Sequence, residues 1–101
     1  MIALACPGQG AQTPGFLAPW LELKSFKTAI EKYSEILEID LVYFGTQADA
    51  DQIKDTKIAQ PLIVAASMAS HAVLMDALGE ETKFDGVAGH SVGEIAAAYI
   101  A

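Results

Sequence analysis

The stretch Gly86-Val-Ala-Gly-His-Ser-Val-Gly-Glu94 decides how the rest of this sequence is interpreted. An apolar segment from Phe84 to Gly89 predicts a strand, and a second apolar segment predicts a helix that begins at Val92. Residues 89–93 match the pattern Gly-x-Ser-x-Gly, which places a serine on a sharp turn from a strand to a helix. With glycine and serine each at about 7% of residues, a chance match in a chain of this length has a probability of about 3%. The motif and its flanks therefore predict a raised, reactive Ser91.

The spacing of the motif has a physical reason. Residues two positions either side of the serine crowd the turn, so glycine is required at positions 89 and 93. The helix that follows directs its free N–H groups and its positive dipole end at an oxyanion forming beside Ser91. The alternative interpretation is a plain turn in which Ser91 caps the helix.

The N-terminal segment carries a second candidate constellation. Ile2 to Cys6 is a continuous apolar run, which predicts a central strand buried on both faces, as in a parallel sheet. The loop Pro7-Gly-Gln-Gly-Ala-Gln12 follows it, and its glycines would let a backbone N–H approach a substrate closely. A phosphate-binding loop is disfavoured, because neither Gly-Lys-Ser/Thr nor Gly-x-Gly-x-x-Gly is present. An ordinary turn remains the alternative.

The segment between these motifs is predicted to be helical. A short helix is expected at Pro19–Leu23, and an amphipathic helix with apolar residues at helical spacing is expected from Phe26 to Leu37. Asp49–Thr56 is predicted to be a short helix or a turn. A long helix is expected to begin at Gln60-Pro61, since proline suits the first helical position, and to end at Gly79.

Composition restricts the class of protein. The 101 residues are 52% hydrophobic and 19% charged, which indicates a globular chain that can fill a core. The net charge of −7, with no arginine among six basic residues, argues against nucleic acid and anionic membranes as partners. A single cysteine, Cys6, excludes an internal disulfide and a cysteine-based zinc cluster, and fits a cytoplasmic protein. The apolar stretch Ile58–Leu78 carries several polar side chains and is interpreted as a buried helix of a soluble protein rather than a membrane span.

A serine nucleophile needs a base, and the sequence contains only two histidines. His90 precedes Ser91 in the turn, so its side chain is expected to project away from the serine oxygen. His71 is predicted to lie inside the long helix as a core or surface residue. In folds with this turn the histidine base follows the serine along the chain, so we expect the base outside these residues. The uncapped last helix and the presence of only two strands also predict that residues 1–101 are a truncated N-terminal segment.

Three motifs in this order resemble the acyltransferase family of fatty-acid and polyketide synthesis. They are Pro7–Gln12, Ala59-Gln-Pro-Leu62 and Gly89-His-Ser-Val-Gly-Glu94, and their spacing is similar to the free-standing bacterial malonyl transacylases. The run Ala5 to Phe16 resembles the actinobacterial members. The resemblance implies an α/β fold, in which this chain is the N-terminal part of a hydrolase-like parallel-sheet subdomain.

The resemblance also implies a reaction and its residues. Ser91 would attack malonyl-CoA and form a malonyl ester, which the phosphopantetheine thiol of acyl carrier protein would then accept, without metal or other cofactor. The oxyanion hole would be the backbone N–H groups of Gln9 and Val92, and Gln60 and His90 would line the substrate pocket. Glu94 matches the family signature as well. The alternative roles are helix capping for Gln60 and a favourable first-turn charge for Glu94.

Several of the family's elements have no counterpart in these residues. They are the arginine that pairs with the malonyl carboxylate, the catalytic histidine and the ferredoxin-like small subdomain. Two other functions therefore stay open: a serine hydrolase such as an esterase or thioesterase, and a truncated non-catalytic segment. The Pro7–Gln12 loop argues against the hydrolase, because lipase-type oxyanion loops read His-Gly-Gly.

The side chain of Val92 also has two interpretations. In the related polyketide acyltransferases a small branched aliphatic residue at this position accompanies selection of malonyl over methylmalonyl. A stiff β-branched side chain beside the acyl group could limit the room for an extra methyl. Alternatively, Val92 packs beneath the turn and has no effect on acyl-group choice.

Overall fold

The computed structural model describes residues 2–79 and 83–101. Met1 and residues 80–82 lie outside these ranges, so the predicted domain over residues 1–101 includes four residues whose structure is not described. The elements, in chain order, are strand β1 (Ala3–Cys6), a 3-10 helix (Trp20–Glu22), helices α1 (Lys24–Leu37), α2 (Leu41–Thr46), α3 (Ala50–Lys54) and α4 (Thr56–Leu78), strand β2 (Gly86–Gly89) and helix α5 (Gly93–Ile100).

The two strands form a parallel sheet. β1 pairs with β2 in a register that sets Ala3 opposite Gly86 and Cys6 opposite Gly89. Asp85 extends the pairing, since its N–H donates to the carbonyl of Ile2 at 2.7 Å and its carboxylate accepts from the Ile2 N–H at 2.6 Å. A parallel pair needs a long crossover connection, and here the helices α1 to α4 occupy that connection. The predicted α/β class is confirmed.

The prediction that the first strand is buried on both faces is wrong for the described residues. Cys6 is buried and Leu4 is half-buried, but Ala3 and Ala5 are exposed. Side chains of a strand alternate between its two faces, and none of the described elements covers the face that carries Ala3 and Ala5.

The prediction that the long helix begins at Gln60-Pro61 is also wrong. α4 starts at Thr56, where the carboxylate of Asp55 accepts from the Lys57 N–H at 3.0 Å and caps the helix. Pro61 lies inside the helix and removes one hydrogen bond, the one that would reach the carbonyl of Lys57. Burial of Leu62 and its helical neighbours against the rest of the protein compensates for this loss. The predicted end at Gly79 is confirmed: this residue has φ of 95° at the C-cap.

The main core lies between α4 and the helices that precede it. Its buried residues come from the loop before α1, from helices α1 to α4 and from the connection between α2 and α3; they are Leu17, Phe26, Ile30, Leu41, Ala48, Ile53, Leu62, Ala65 and Ala69. This core confirms the predicted amphipathic helix, although Leu37 at its end is exposed. α4 is long and apolar enough to cross a membrane by length and composition, yet three of its buried residues, Leu62, Ala65 and Ala69, belong to this core.

The shorter predicted elements are present with shifted bounds. The polar segment Asp49–Thr56 contains α3, which begins with a capping box between Asp49 and Gln52. β2 begins at Gly86 rather than Phe84, and α5 begins at Gly93 rather than Val92. Helix α2 was not predicted, because its six residues are too few for a helical period to stand out.

Candidate active site

Ser91 lies on the turn that joins β2 to α5, and its backbone is strained. Its φ is 56°, in the left-handed region that side chains other than glycine rarely adopt. Short-range bonds close the turn: the Gly93 N–H donates to the carbonyl of His90, and the Glu94 N–H donates to that of Ser91, both at 3.0 Å. The serine is exposed, as expected for a nucleophile raised above a sheet.

The two motif glycines are required by contacts with backbone atoms. A Cβ on Gly89 would clash with the carbonyl group of Gly93, and a Cβ on Gly93 would clash with the carbonyl oxygens of Cys6 and Pro7. The pattern therefore allows α5 to start directly against the end of β1. Crowding at these positions was expected from the motif, but the contact with β1 was not.

The loop Pro7–Gln12 lies beside the serine turn. The His90 N–H donates to the carbonyl of Cys6 at 3.0 Å, which extends the strand pairing into the turn. Gly8 is buried against His90, and a Cβ on Gly8 would clash with the His90 carbonyl oxygen. The two motifs that the sequence singled out, about 80 residues apart in the chain, are thus in contact.

The two N–H groups predicted to form an oxyanion hole have no hydrogen-bond partner within residues 2–79 and 83–101. These are the N–H groups of Gln9 and Val92; their neighbours at Gly10, Ala11 and Gly93 all donate to protein acceptors. N–H groups without a partner, when they lie close to a nucleophilic serine, are able to stabilise a developing negative charge. The arrangement is compatible with the predicted role, which stays a prediction.

Two side chains of the loop hold it to the corner between α3 and α4. The Gln9 Nε2 donates to Thr56 Oγ1 at 3.2 Å, and the Gln12 Nε2 donates to the carbonyl of Ile53 at 3.0 Å. Sequence reasoning did not single out Gln12 or Thr56. The occurrence of two glutamines in Pro7–Gln12 was the only sequence signal for these contacts. Their partners, Thr56 and Ile53, are more than 40 residues away and are not indicated by any pattern within the loop.

Gln60 is exposed on the early part of α4. It follows Thr56 by four residues, so both lie on one helix face, and Thr56 contacts Gln9 of the loop. The helix-capping alternative for Gln60 is wrong, because Asp55 caps α4. Its predicted role beside the substrate stays a prediction.

The Val92 side chain is buried with 8% of its surface exposed, in a cluster with Ala59 and Ile63 of α4. This position favours the interpretation in which Val92 packs beneath the turn. Glu94 is exposed in the first turn of α5, where a negative charge is favourable.

Neither histidine hydrogen-bonds to Ser91. The His90 Nδ1 lies 3.0 Å from the position that a Gly8 Cβ would occupy, so the ring lies against the loop. His71, on α4, packs near Phe84 with 6.3 Å between ring centroids. Of the described residues, none therefore supplies a base to the serine.

A cavity bordered by the loop does not include the serine. Its volume is about 440 Å³, and its mostly apolar lining comes from β1, the loop and α4, without Ser91, His90 or Val92. Cys6 lines it, but burial raises the pKa of this thiol, which lowers its thiolate fraction and its reactivity. Ser91 remains the better nucleophile candidate.

The chain is similar to known acyltransferases over its full length. The malonyl CoA-acyl carrier protein transacylase of Mycobacterium tuberculosis is 50% identical over 101 residues, which are 100% of this chain and 33% of that protein. The crystal structure of this transacylase from Mycobacterium tuberculosis matches with a TM-score of 0.92 at 50% identity, over 100% of this chain and 33% of that one.

A second solved structure is a type II polyketide synthase acyl carrier protein in complex with its malonyl-transacylase. It matches with a TM-score of 0.85 at 31% identity, over 94% of this chain and 30% of that one. The chain spans about a third of the length of the curated relatives it matches.

The acyl transferase domain family matches residues 4–101, which include both the glycine-rich loop and the serine turn. The predicted resemblance is confirmed. By its sequence, its fold and the geometry around Ser91, this chain belongs to the acyl transferase domain family.

Proposed function

We propose that the protein containing this chain transfers a malonyl group from coenzyme A to acyl carrier protein in fatty-acid synthesis, through an ester on Ser91. The Ser91 oxygen forms a bond to the malonyl carbonyl carbon, and the coenzyme A thiol leaves with the serine proton. The phosphopantetheine thiol of the carrier then attacks the ester, and the serine regains its proton. Coenzyme A enters as a substrate, and the reaction needs neither a metal nor a redox cofactor.

One observation carries the proposal. Ser91 occupies a left-handed turn with φ of 56° that is in contact with the Pro7–Gln12 loop, and the N–H groups of Gln9 in the loop and Val92 in the turn have no partner in the described part of the chain. In the proposal these two groups bind the carbonyl oxygen as it becomes an oxyanion. Removing one such donor typically costs about 10²–10³ in kcat.

Gln60 and His90 are proposed to line the substrate pocket. Gln60 shares a helix face with Thr56, which contacts the loop, and His90 lies against Gly8 of the loop. In the proposal the base is a histidine outside residues 1–101, since His71 and His90 both lie in other contacts.

The choice of malonyl-CoA and of acyl carrier protein is supported by the relatives. A malonyl-transacylase that shares 31% identity with this chain is found in complex with an acyl carrier protein. The net charge of −7 does not favour docking of an acidic carrier onto these residues, so basic docking residues would lie elsewhere in the protein. We propose a cytoplasmic location, and partners that include neither nucleic acid nor a membrane.

Intact-mass spectrometry tests the proposal on the protein expressed from its complete gene. Incubation with malonyl-CoA in the absence of carrier is expected to add the mass of one malonyl group to the wild type. The same adduct is expected on Ser67→Ala, which removes a serine of α4 outside the turn, and is expected to be absent from Ser91→Ala. An adduct that persists on Ser91→Ala would overturn the assignment.

The same experiment separates a transferase from a hydrolase. A transferase is expected to keep the ester for minutes in buffer and to lose it rapidly when holo acyl carrier protein is added. Rapid loss to water, unaffected by the carrier, would indicate an esterase or thioesterase instead.

A further inference from the structure

Gln12 makes a two-sided contact that holds the glycine-rich loop in place. Its Oε1 accepts from the Gly10 N–H at 2.8 Å, and its Nε2 donates to the carbonyl of Ile53 at 3.0 Å. The side chain is partly buried, and its partner Ile53 is a core residue that is 1% exposed. One amide group thus ties the tip of the loop to a rigid part of the fold.

The Gln12 side-chain contact affects the orientation of the peptide group that joins Gly8 to Gln9. The Gln9 N–H shares its peptide group with the Gly8 carbonyl, which accepts from the Ala11 N–H at 3.2 Å. Because a peptide group is planar, this bond directs the Gln9 N–H to the opposite side. Gly10 lies between these residues with φ of 112° and has no neighbour within 4 Å of its would-be side chain, so packing does not restrain it. The bond from the Gly10 N–H to Gln12 is the shortest of the bonds that restrain this segment; the others are the Ala11 bond to Gly8 and the Gln9 side-chain bond to Thr56.

We propose that Gln12 is a positioning residue for the oxyanion hole: by holding Gly10 to the α3 backbone, it keeps the Gln9 N–H directed at the reacting carbonyl. The inference rests on the proposed function of Ser91 and extends it to a residue without contact to the substrate. A misdirected donor weakens stabilisation of the transition state while leaving substrate binding nearly unchanged.

Loss of the restraint is expected to slow formation of the Ser91 ester by roughly 10- to 100-fold. The upper end, about 100-fold, is the loss of rate expected when a catalytic group is misplaced by about 1 Å. It does not exceed the loss of rate of about 10²–10³ that follows removal of one oxyanion donor. Both half-reactions use the same oxyanion hole, so ester formation and transfer to the carrier are expected to slow by similar factors.

The test uses three variants of the full-length protein in single-turnover acylation with malonyl-CoA. Gln12→Ala removes both bonds. Gln12→Glu keeps an acceptor for the Gly10 N–H but loses the donor to the Ile53 carbonyl, so an intermediate rate is expected. Gln52→Ala is the matched control, because Gln52 also makes several side-chain hydrogen bonds, to Tyr43 and Asp49, without contacting the loop. Its acylation rate is expected to equal that of the wild type.

A binding measurement distinguishes a role of Gln12 in positioning the Gln9 N–H from a role in binding the substrate. Affinity for malonyl-CoA is measured by calorimetry in Ser91→Ala, with and without Gln12→Ala, and is expected to change by less than about threefold, well below the loss in rate. If Gln12→Ala fails to fold, as judged by its thermal melt, Gln12→Glu decides the question.

Three results would overturn the inference: acylation in both Gln12 variants at the wild-type rate, an affinity loss as large as the rate loss, or an equal rate loss in Gln52→Ala. Failure of the proposed function is distinguishable from these, since the wild type would then form no ester on Ser91.

Discussion

At the scale of single residues, the site depends on backbone conformation more than on side-chain contacts. Ser91 adopts a left-handed φ that costs a residue with a Cβ about 1–2 kcal/mol. The cost is offset by the surrounding turn, which is stabilised by the hydrogen bonds from the Gly93 and Glu94 N–H groups and by the close contact of α5 with the end of β1. Strain of this kind at an exposed serine is characteristic of a functional position.

The strain at Ser91 is measurable by comparing two variants that both lack the hydroxyl. Ser91→Gly is expected to be more stable than Ser91→Ala by about 1 kcal/mol, because glycine adopts φ of 56° without a steric cost. Urea unfolding of the two variants of the full-length protein provides the comparison. Equal stability, or a more stable alanine variant, would show that the turn is unstrained.

The backbone N–H and the side chain of Val92 lie in different environments. Its N–H is without a partner among residues 2–79 and 83–101, whereas its side chain packs against Ala59 and Ile63. Val92→Ala is therefore expected to lower the free energy of unfolding by roughly 2 kcal/mol through lost packing.

The same variant tests acyl-group choice. Competition between malonyl-CoA and methylmalonyl-CoA is expected to give a similar ratio of kcat/KM values before and after the substitution. A residue that limits the acyl pocket would instead change the ratio by roughly 10- to 200-fold. A change of that size would restore Val92 as the determinant of malonyl selection.

At the scale of elements, the site is an assembly of one strand end, one loop and one helix start. α5 begins against the carbonyl oxygens of Cys6 and Pro7, and this approach is possible only because residue 93 lacks a Cβ. The far side of the loop is held by the corner at which α3 ends and the Asp55-capped α4 begins. The loop is thus supported from both sides by elements that are distant in the sequence.

Gly93→Ala is expected to separate α5 from β1. The added Cβ meets backbone atoms that cannot rotate away, so destabilisation of about 1–3 kcal/mol or more is expected, together with loss of ester formation on Ser91. Gly86→Ala is the control, since a Cβ there has no neighbour within 4 Å and its φ is not left-handed. It is expected to be neutral or to stabilise by up to about 1 kcal/mol. Thermal unfolding measures the stability of the two variants, and intact-mass spectrometry measures ester formation on Ser91. Equal stability and equal ester formation in Gly93→Ala and Gly86→Ala would contradict the packing argument.

At the scale of the whole molecule, the described residues have a well-packed core and also several exposed large apolar side chains. Ile95 and Tyr99, four residues apart on one face of α5, are 60% and 64% exposed, and Ile2 beside β1 is 62% exposed. Exposed apolar side chains that adjoin one another are characteristic of an interface rather than a solvated exterior. A two-stranded parallel sheet also has free edges on both sides.

The 101 residues expressed by themselves are therefore expected to self-associate and to melt with low cooperativity. The double variant Ile95→Lys and Tyr99→Lys is expected to shift the distribution toward monomer in size-exclusion chromatography with light scattering. Ile36→Lys serves as the control, because this α1 residue is similarly exposed at 67% but lies on another element. A monodisperse wild-type monomer with a sharp melt would show that these surfaces need no partner.

The sequence by itself determined the features that depend on neighbouring residues. Glycines on either side of Ser91 permit only one kind of turn, and an apolar strand before it and an apolar helix after it make the turn recognisable. Gly79 ended the long helix as predicted, since a positive φ at the C-cap is a local preference of glycine. The α/β class and the acyltransferase family followed from motifs of this local kind.

Only the tertiary structure decided the features that depend on distant residues. α4 starts at Thr56 rather than at Gln60-Pro61: Asp55 caps it there, and Ala59, which precedes Pro61, is buried against Val92 of the serine turn, 33 residues away in the sequence. The contact of Gln12 with Ile53 spans 41 residues, and no pattern within the loop encodes it. Local preferences act within a few residues along the chain, whereas the orientation of the Pro7–Gln12 loop is set by elements that meet only when the chain folds.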